Sequence, residues 1–207
     1  MRTICAFLVL ALLLLVSPPG YAETQVDIGV SLGEEGLKGF YFAVGEYYKV
    51  PQKEVIIIKE RRIRDEEIPV VLLIAKMARA APITVINLRL SGKTWIDITL
   101  YIGLTPEIFY VPVKKVKGPP YGRAYGYYKN KPKTEWKAII LADDEVINLV
   151  NLKFISEYYG YSPEKVIEMR AKGESFVVIN DEIRRGKQDK KDEKVKGGKH
   201  KGKGKYD

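Results

Sequence analysis

The residues best equipped for chemistry crowd into one short stretch. Between Lys114 and Lys133 stand seven basic residues and no acidic one, with Tyr121, Tyr125, Tyr127 and Tyr128 set among them. Aromatic faces beside cations suit sugars, bases and other planar or anionic ligands, and the glycines of the segment let a backbone approach a ligand closely. The candidate ligand-binding residues are therefore Lys114, Lys115, Lys117, Tyr121, Arg123, Tyr125, Tyr127, Tyr128 and Lys129. The competing expectation is that the tyrosines bury their rings and only the lysines are solvated.

What is missing narrows the chemistry further. Cys5 is the only cysteine and His200 the only histidine, and both lie far from the middle of the chain. A Ser-His-Asp triad, a Cys-His pair, a thiolate metal site and ordinary zinc coordination therefore have no residues to build them between positions 23 and 199. No catalytic residue, metal ligand or cofactor is assigned, and a non-enzymatic role is favoured. Any enzyme here would have to work with carboxylates, Lys, Tyr or Ser. Two acidic clusters, Asp65-Glu66-Glu67 and Asp143-Asp144-Glu145, could supply paired carboxylates for glycan cleavage or oxygen ligands for calcium. Both stand where helices are predicted to start, where capping and the helix dipole account for them.

The elements that position these residues begin after a leader. Arg2 is followed by 13 uninterrupted apolar residues, Ile4–Val16, then Ser17-Pro18-Pro19-Gly20-Tyr21-Ala22. That is the layout of a secretory signal peptide, with cleavage expected near Ala22 and residues 1–22 removed. Thirteen residues fall short of a helical membrane span, so no transmembrane anchor is expected to persist. The mature chain would be periplasmic or extracellular, and its lack of thiols would oblige it to rely on a packed core.

Charge is distributed unevenly. The net charge is +9, yet Arg184–Asp207 holds eleven Lys/Arg against four Asp/Glu, so residues 23–183 are nearly neutral. The Lys/Gly-rich segment 186–207 has too few apolar side chains to offset its backbone entropy and is expected to be disordered. It is either a polycation that adheres to anionic partners or a solubilising tail.

The middle of the chain carries a degenerate repeat of about 31 residues, aligned on Pro51, Pro82, Pro106 and Pro163. The second and third of its longer copies agree downstream: Gly92 with Gly173, Thr94 with Ser175, Trp95 with Phe176, Ile98 with Ile179. Each unit reads as helix, tight turn, helix. Gly160 suits a left-handed helix end, Ser162 an N-cap and Pro163 the first helical position. Arg89 and Arg170 also match, and could either pair with carboxylates across the stack or face a groove. Helices are predicted near 34–49, 51–62, 65–80, 82–90, 94–102, 105–110, 143–159, 162–171 and 175–185. Glu54-Val-Ile-Ile-Ile-Lys would suit a strand by composition, but its place in the repeat favours helix. Residues 111–142, with four prolines and no evident helical period, are expected to form one long irregular loop. The fold class is all-α: stacked helix-turn-helix units spanning 23–185, carrying that loop.

Two local resemblances follow. Ser91-Gly-Lys-Thr-Trp-Ile-Asp-Ile-Thr-Leu-Tyr-Ile-Gly-Leu-Thr-Pro-Glu-Ile-Phe resembles the helical half of a LysM module, which implies binding to N-acetylglucosamine polymers such as peptidoglycan. Ile155-Ser-Glu-Tyr-Tyr-Gly-Tyr-Ser-Pro-Glu-Lys-Val is similar to the first two helices of a helix-turn-helix DNA reader, though export argues against a transcriptional DNA role. The leading expectation is an exported helical binding or scaffolding protein of a bacterial cell envelope. It would engage an anionic or glycan partner through the basic aromatic segment and tail. A carboxylate-dependent glycan-processing enzyme and a self-assembling structural module are the alternatives.

Overall fold

The structure is a computed structural model that describes residues 34–114, 116 and 118–199, with side chains as far as Lys187. The expected leader and the last eight residues lie outside the described residues, as do the side chains of most of the basic tail. The described chain is all-α, with no strand. Its α-helices are α1 (Glu34–Tyr48), α2 (Gln52–Glu60), α3 (Ile68–Ala78), α4 (Pro82–Leu90), α5 (Trp95–Tyr101), α6 (Gly122–Asn130), α7 (Asp143–Tyr159), α8 (Pro163–Ala171) and α9 (Phe176–Lys199). Three 3-10 turns, Asp65–Glu67, Pro106–Phe109 and Lys133–Ala138, complete the order. Among the described residues no helix is long and apolar enough to cross a membrane.

Helices α3 and α7 form the centre. Eight consecutive residues of α3, Ile68–Ala75, are buried, so the helix is covered on every side. It packs on α7, whose Val146, Leu149, Val150, Leu152, Phe154 and Ile155 are fully enclosed. Burying each such side chain stabilises the fold by about 1.5–3 kcal/mol. Helix α1 closes one flank through Phe40 and Tyr47, whose rings lie 5.8 and 5.4 Å from that of Phe154. Asn151, wholly buried in α7, donates from Nδ2 to the carbonyls of Glu66 (2.8 Å) and Ile147 (2.9 Å), fixing α7 against the turn that leads into α3.

Local chemistry sets the helix ends. Gly160 takes φ 70° to close α7, and Ser162 Oγ accepts from the Lys165 amide to open α8 behind Pro163. Thr94 caps α5 reciprocally: its Oγ1 accepts from the Asp97 amide (3.1 Å), and the Asp97 carboxylate accepts from the Thr94 amide (3.3 Å). Gly92 and Gly173 both adopt left-handed backbone, at φ 88° and 91°. Residues 52–60, strand-like by composition, are helical because Val55 and Ile58 share a buried face at helical spacing.

Segment 111–142 differs from the expected irregular loop. It holds the nine-residue α6 and the 3-10 turn Lys133–Ala138. The physical reason is the position of its prolines. Pro112, Pro119, Pro120 and Pro132 all fall outside α6, leaving nine residues free of them. Tyr121, Tyr125 and Tyr128 then sit at i, i+4 and i+7, one above another on the buried side.

An ion network locks the core side of this stack. Glu67, 4% exposed, accepts at Oε1 from Arg89 Nη2 (2.5 Å) and from the more exposed Arg64 Nη2 (3.2 Å). Arg89 Nη1 donates to Asp143 (2.6 Å), and Asp143 also accepts the Trp95 amide (2.8 Å). The Arg89 guanidinium lies over the Trp95 ring at 4.6 Å.

Candidate binding cleft

The basic aromatic segment folds into a clasp. Tyr110, Tyr128 and Trp136 pack ring against ring, with centroids 4.6–5.1 Å apart. Trp136 is 6% exposed and donates from Nε1 to the Tyr128 and Lys131 carbonyls, which seats the 3-10 turn on the end of α6. Tyr125 donates its hydroxyl to the Val111 carbonyl and Tyr128 to the Pro106 carbonyl, each at 2.7 Å. Both polar handles therefore point inward, satisfying backbone carbonyls at and just after the Pro106–Phe109 turn. Burial first, and neighbouring anions and phenols second, raise both hydroxyls well above the usual tyrosine range, so they stay protonated.

Between Tyr110, Val113, Lys114 and Val116 on one side and α6 on the other lies a cleft of about 470 Å³. Its floor is Tyr110, Tyr125 and Tyr128, its sides include Val113 and Val116, and its rim carries Lys114 and Lys129. Both lysines are exposed, and neither forms a salt bridge among the described residues. The near wall is tied down where the Lys114 amide donates to Glu164 Oε1 (2.7 Å) in the first turn of α8. That backbone hydrogen bond is the main reason the Glu164 carboxyl is held below its ordinary value. Two ammonium groups lining one hollow with tyrosines can hold an anionic group beside a flat or sugar-like body.

The expected site residues divide accordingly. Lys114, Tyr125, Tyr128 and Lys129 meet at the cleft. Arg123 is turned away, donating to both oxygens of the buried Glu145 carboxylate at 2.7 and 3.1 Å. Tyr127, half-buried, lines a separate hollow with Arg123 and Lys131. Tyr121 is 1% exposed and belongs to the core. Lys115 and Lys117 lie outside the described residues. Sequence reasoning missed Tyr110, whose only signal is an aromatic placed two residues before Pro112, and the apolar sides Val113 and Val116.

All but Asp144 of the two acidic clusters are occupied by structure. Asp65 accepts from Tyr41 and Lys59, Glu66 from the Phe176 amide, and Glu67 and Asp143 from Arg89. Glu145 closes back on the Ala142 amide as well as on Arg123. Among the described residues no group of three or more His, Cys, Asp or Glu could hold a metal ion. The LysM-like segment forms α5 and the 3-10 turn Pro106–Phe109, with no strand beside it among the described residues. The chain matches no protein-family model, no curated protein and no solved structure.

Proposed function

We propose that this chain is an exported, non-enzymatic binding or scaffolding protein of the bacterial cell envelope that holds an anionic or glycan partner in the cleft between Lys114 and Lys129. The observation that carries the reading is the cleft itself. Two exposed lysines that form no salt bridge among the described residues line a hollow with Tyr110, Tyr125 and Tyr128, and hydrogen bonds from Tyr125, Tyr128 and the Lys114 amide fix its walls. Export rests on the leader-like residues 1–22, and the basic end of the chain adds long-range attraction for the same anionic surfaces.

The frame is read as a repeated helix pair. Supporting this, Val85 and Val166 are both fully buried, Gly92 and Gly173 share left-handed backbone, and Arg89 over Trp95 corresponds to Arg170 over Phe176. The test is co-sedimentation with purified cell-wall sacculi at low and high ionic strength, comparing the unaltered chain with the Lys114→Glu/Lys129→Glu double variant. Binding is expected to fall as salt screens the lysines beyond about 10 Å, and to drop at least about tenfold in the double variant. Binding that ignores both changes would refute the reading.

A further inference from the structure

The two matched arginines have different surroundings. Arg89 is neutralised by Glu67 and Asp143. Arg170 stacks on Phe176 as Arg89 does on Trp95, at 5.0 Å, but its recorded partners are neutral oxygens. Its Nε donates to Asn148 Oδ1 (3.1 Å) and its Nη1 to the Glu174 carbonyl (2.7 Å). Among the described residues it has no carboxylate partner, although it is half-buried. A guanidinium that is partly desolvated with no counter-ion is costly to maintain.

Arg170 also lines a cavity of about 800 Å³ between α7, α8, the start of α9 and the Asp65–Glu67 turn. The charged lining is balanced, with Lys59, Arg64 and Arg170 against Asp65, Glu66 and Asp144. Their engagements are not equal. Lys59 is spent on Asp65, Arg64 on Glu67, and Glu66 on the Phe176 amide. The least engaged pair is one cation, Arg170, and one exposed carboxylate, Asp144, whose side-chain oxygens accept no hydrogen bond among the described residues and whose charge also acts on Arg64. The Tyr121 hydroxyl, buried and without a partner, feels the charges of both Arg170 and Glu66 from beside the cavity. Leu37, Ile147 and Val177 give the walls apolar surface.

We propose that this cavity binds a short zwitterionic peptide, its terminal carboxylate on Arg170 and its terminal ammonium facing Asp144. A guest with a single charge gains no net attraction from this balanced lining, whereas one bearing both charges complements the two least engaged groups. The volume falls in the range of small-ligand pockets, about 300–1,000 Å³, and exceeds the needs of a single amino acid. This site does not rest on the Lys114–Lys129 cleft.

The test is calorimetric titration of the chain without its expected leader, residues 23–207, which keeps every residue of the core. The probes are tri-alanine, its C-terminal amide and its N-acetyl form. Saturable binding of tri-alanine is expected, weakened at least about tenfold by either modification. Arg170→Gln should cause a loss of the same size, while Lys137→Glu, an exposed change outside both the cleft and the cavity, should bind tri-alanine as the unaltered chain does. Where Arg170→Gln does not fold, the comparison of acid with amide on the unaltered chain decides alone. Absence of binding to tri-alanine, or equal binding of the amide, overturns the proposal.

Discussion

Replacing Arg89 with methionine tests the physical account of the core most severely. Methionine keeps much of the packing on Trp95 but removes the guanidinium shared by Glu67 and Asp143. Glu67 has a side chain only 5% exposed, so the variant leaves a buried carboxylate with Arg64 alone, itself largely in solvent. Removing one partner of a buried pair costs about 3–5 kcal/mol. The surviving Arg64 contact and the partial exposure of Asp143 put the expectation at about 3 kcal/mol. Denaturant unfolding followed by far-UV circular dichroism reads this directly.

The pH dependence supplies the sign. Burial alone would raise the Glu67 carboxyl, but hydrogen bonds from Arg64 and Arg89, with their charges, outweigh it and hold the group below its ordinary value. A depressed carboxyl contributes stability that is present above the ordinary carboxylate range and is lost as pH falls through the folded value. In Arg89→Met the burial is opposed less, the folded value moves up, and the penalty at neutral pH shrinks as the group protonates. The stability gap between the two proteins should be widest near neutrality and narrow toward pH about 4. A gap below about 1 kcal/mol at neutrality, or one that widens in acid, would refute the reasoning.

Further outcomes follow from the same geometry. Gly160→Val should cost about 1–2 kcal/mol in denaturant unfolding, because φ 70° forces Cβ against the following carbonyl. Thr94→Ala should cost about 1 kcal/mol by opening the reciprocal cap on α5, measured the same way. Tyr128→Phe should lower stability by about 1–2 kcal/mol, since the Pro106 carbonyl loses its buried donor.

Much of the fold was readable where a single residue type does a job that few others can. Ser162-Pro163-Glu164 and Gly160 marked the α7–α8 turn, and Thr94 the start of α5, since cap and left-handed positions select those residues. The first units were harder to delimit because Lys49, Arg62 and Arg79 occupy left-handed backbone without being glycine. All three are exposed, and local backbone hydrogen bonds at the helix ends, such as Val50 N–H to the Gly45 carbonyl and Ala80 N–H to the Ala75 carbonyl, close the turns that hold them. Helix α6 was hidden by its flanking prolines, although the spacing of Tyr121, Tyr125 and Tyr128 carried its signature. The cleft was half legible: lysines interleaved with tyrosines located it, but nothing local told that Tyr121 faces the core, that Arg123 turns to Glu145, or that Tyr110 completes the floor. Arg89 and Arg170 showed the opposite pattern. Their match was visible in sequence, while the carboxylates that distinguish them come from α7 and the Asp65–Glu67 turn, far away along the chain.

Amide hydrogen exchange with soluble polygalacturonate fragments interrogates the Lys114–Lys129 cleft most directly. Adding this acidic glycan should slow exchange in 110–116 and 122–130, and the effect should vanish at high salt and in the Lys114→Glu/Lys129→Glu variant. Unchanged exchange in both segments while the glycan is bound, or equal protection in the charge-reversed variant, would contradict it.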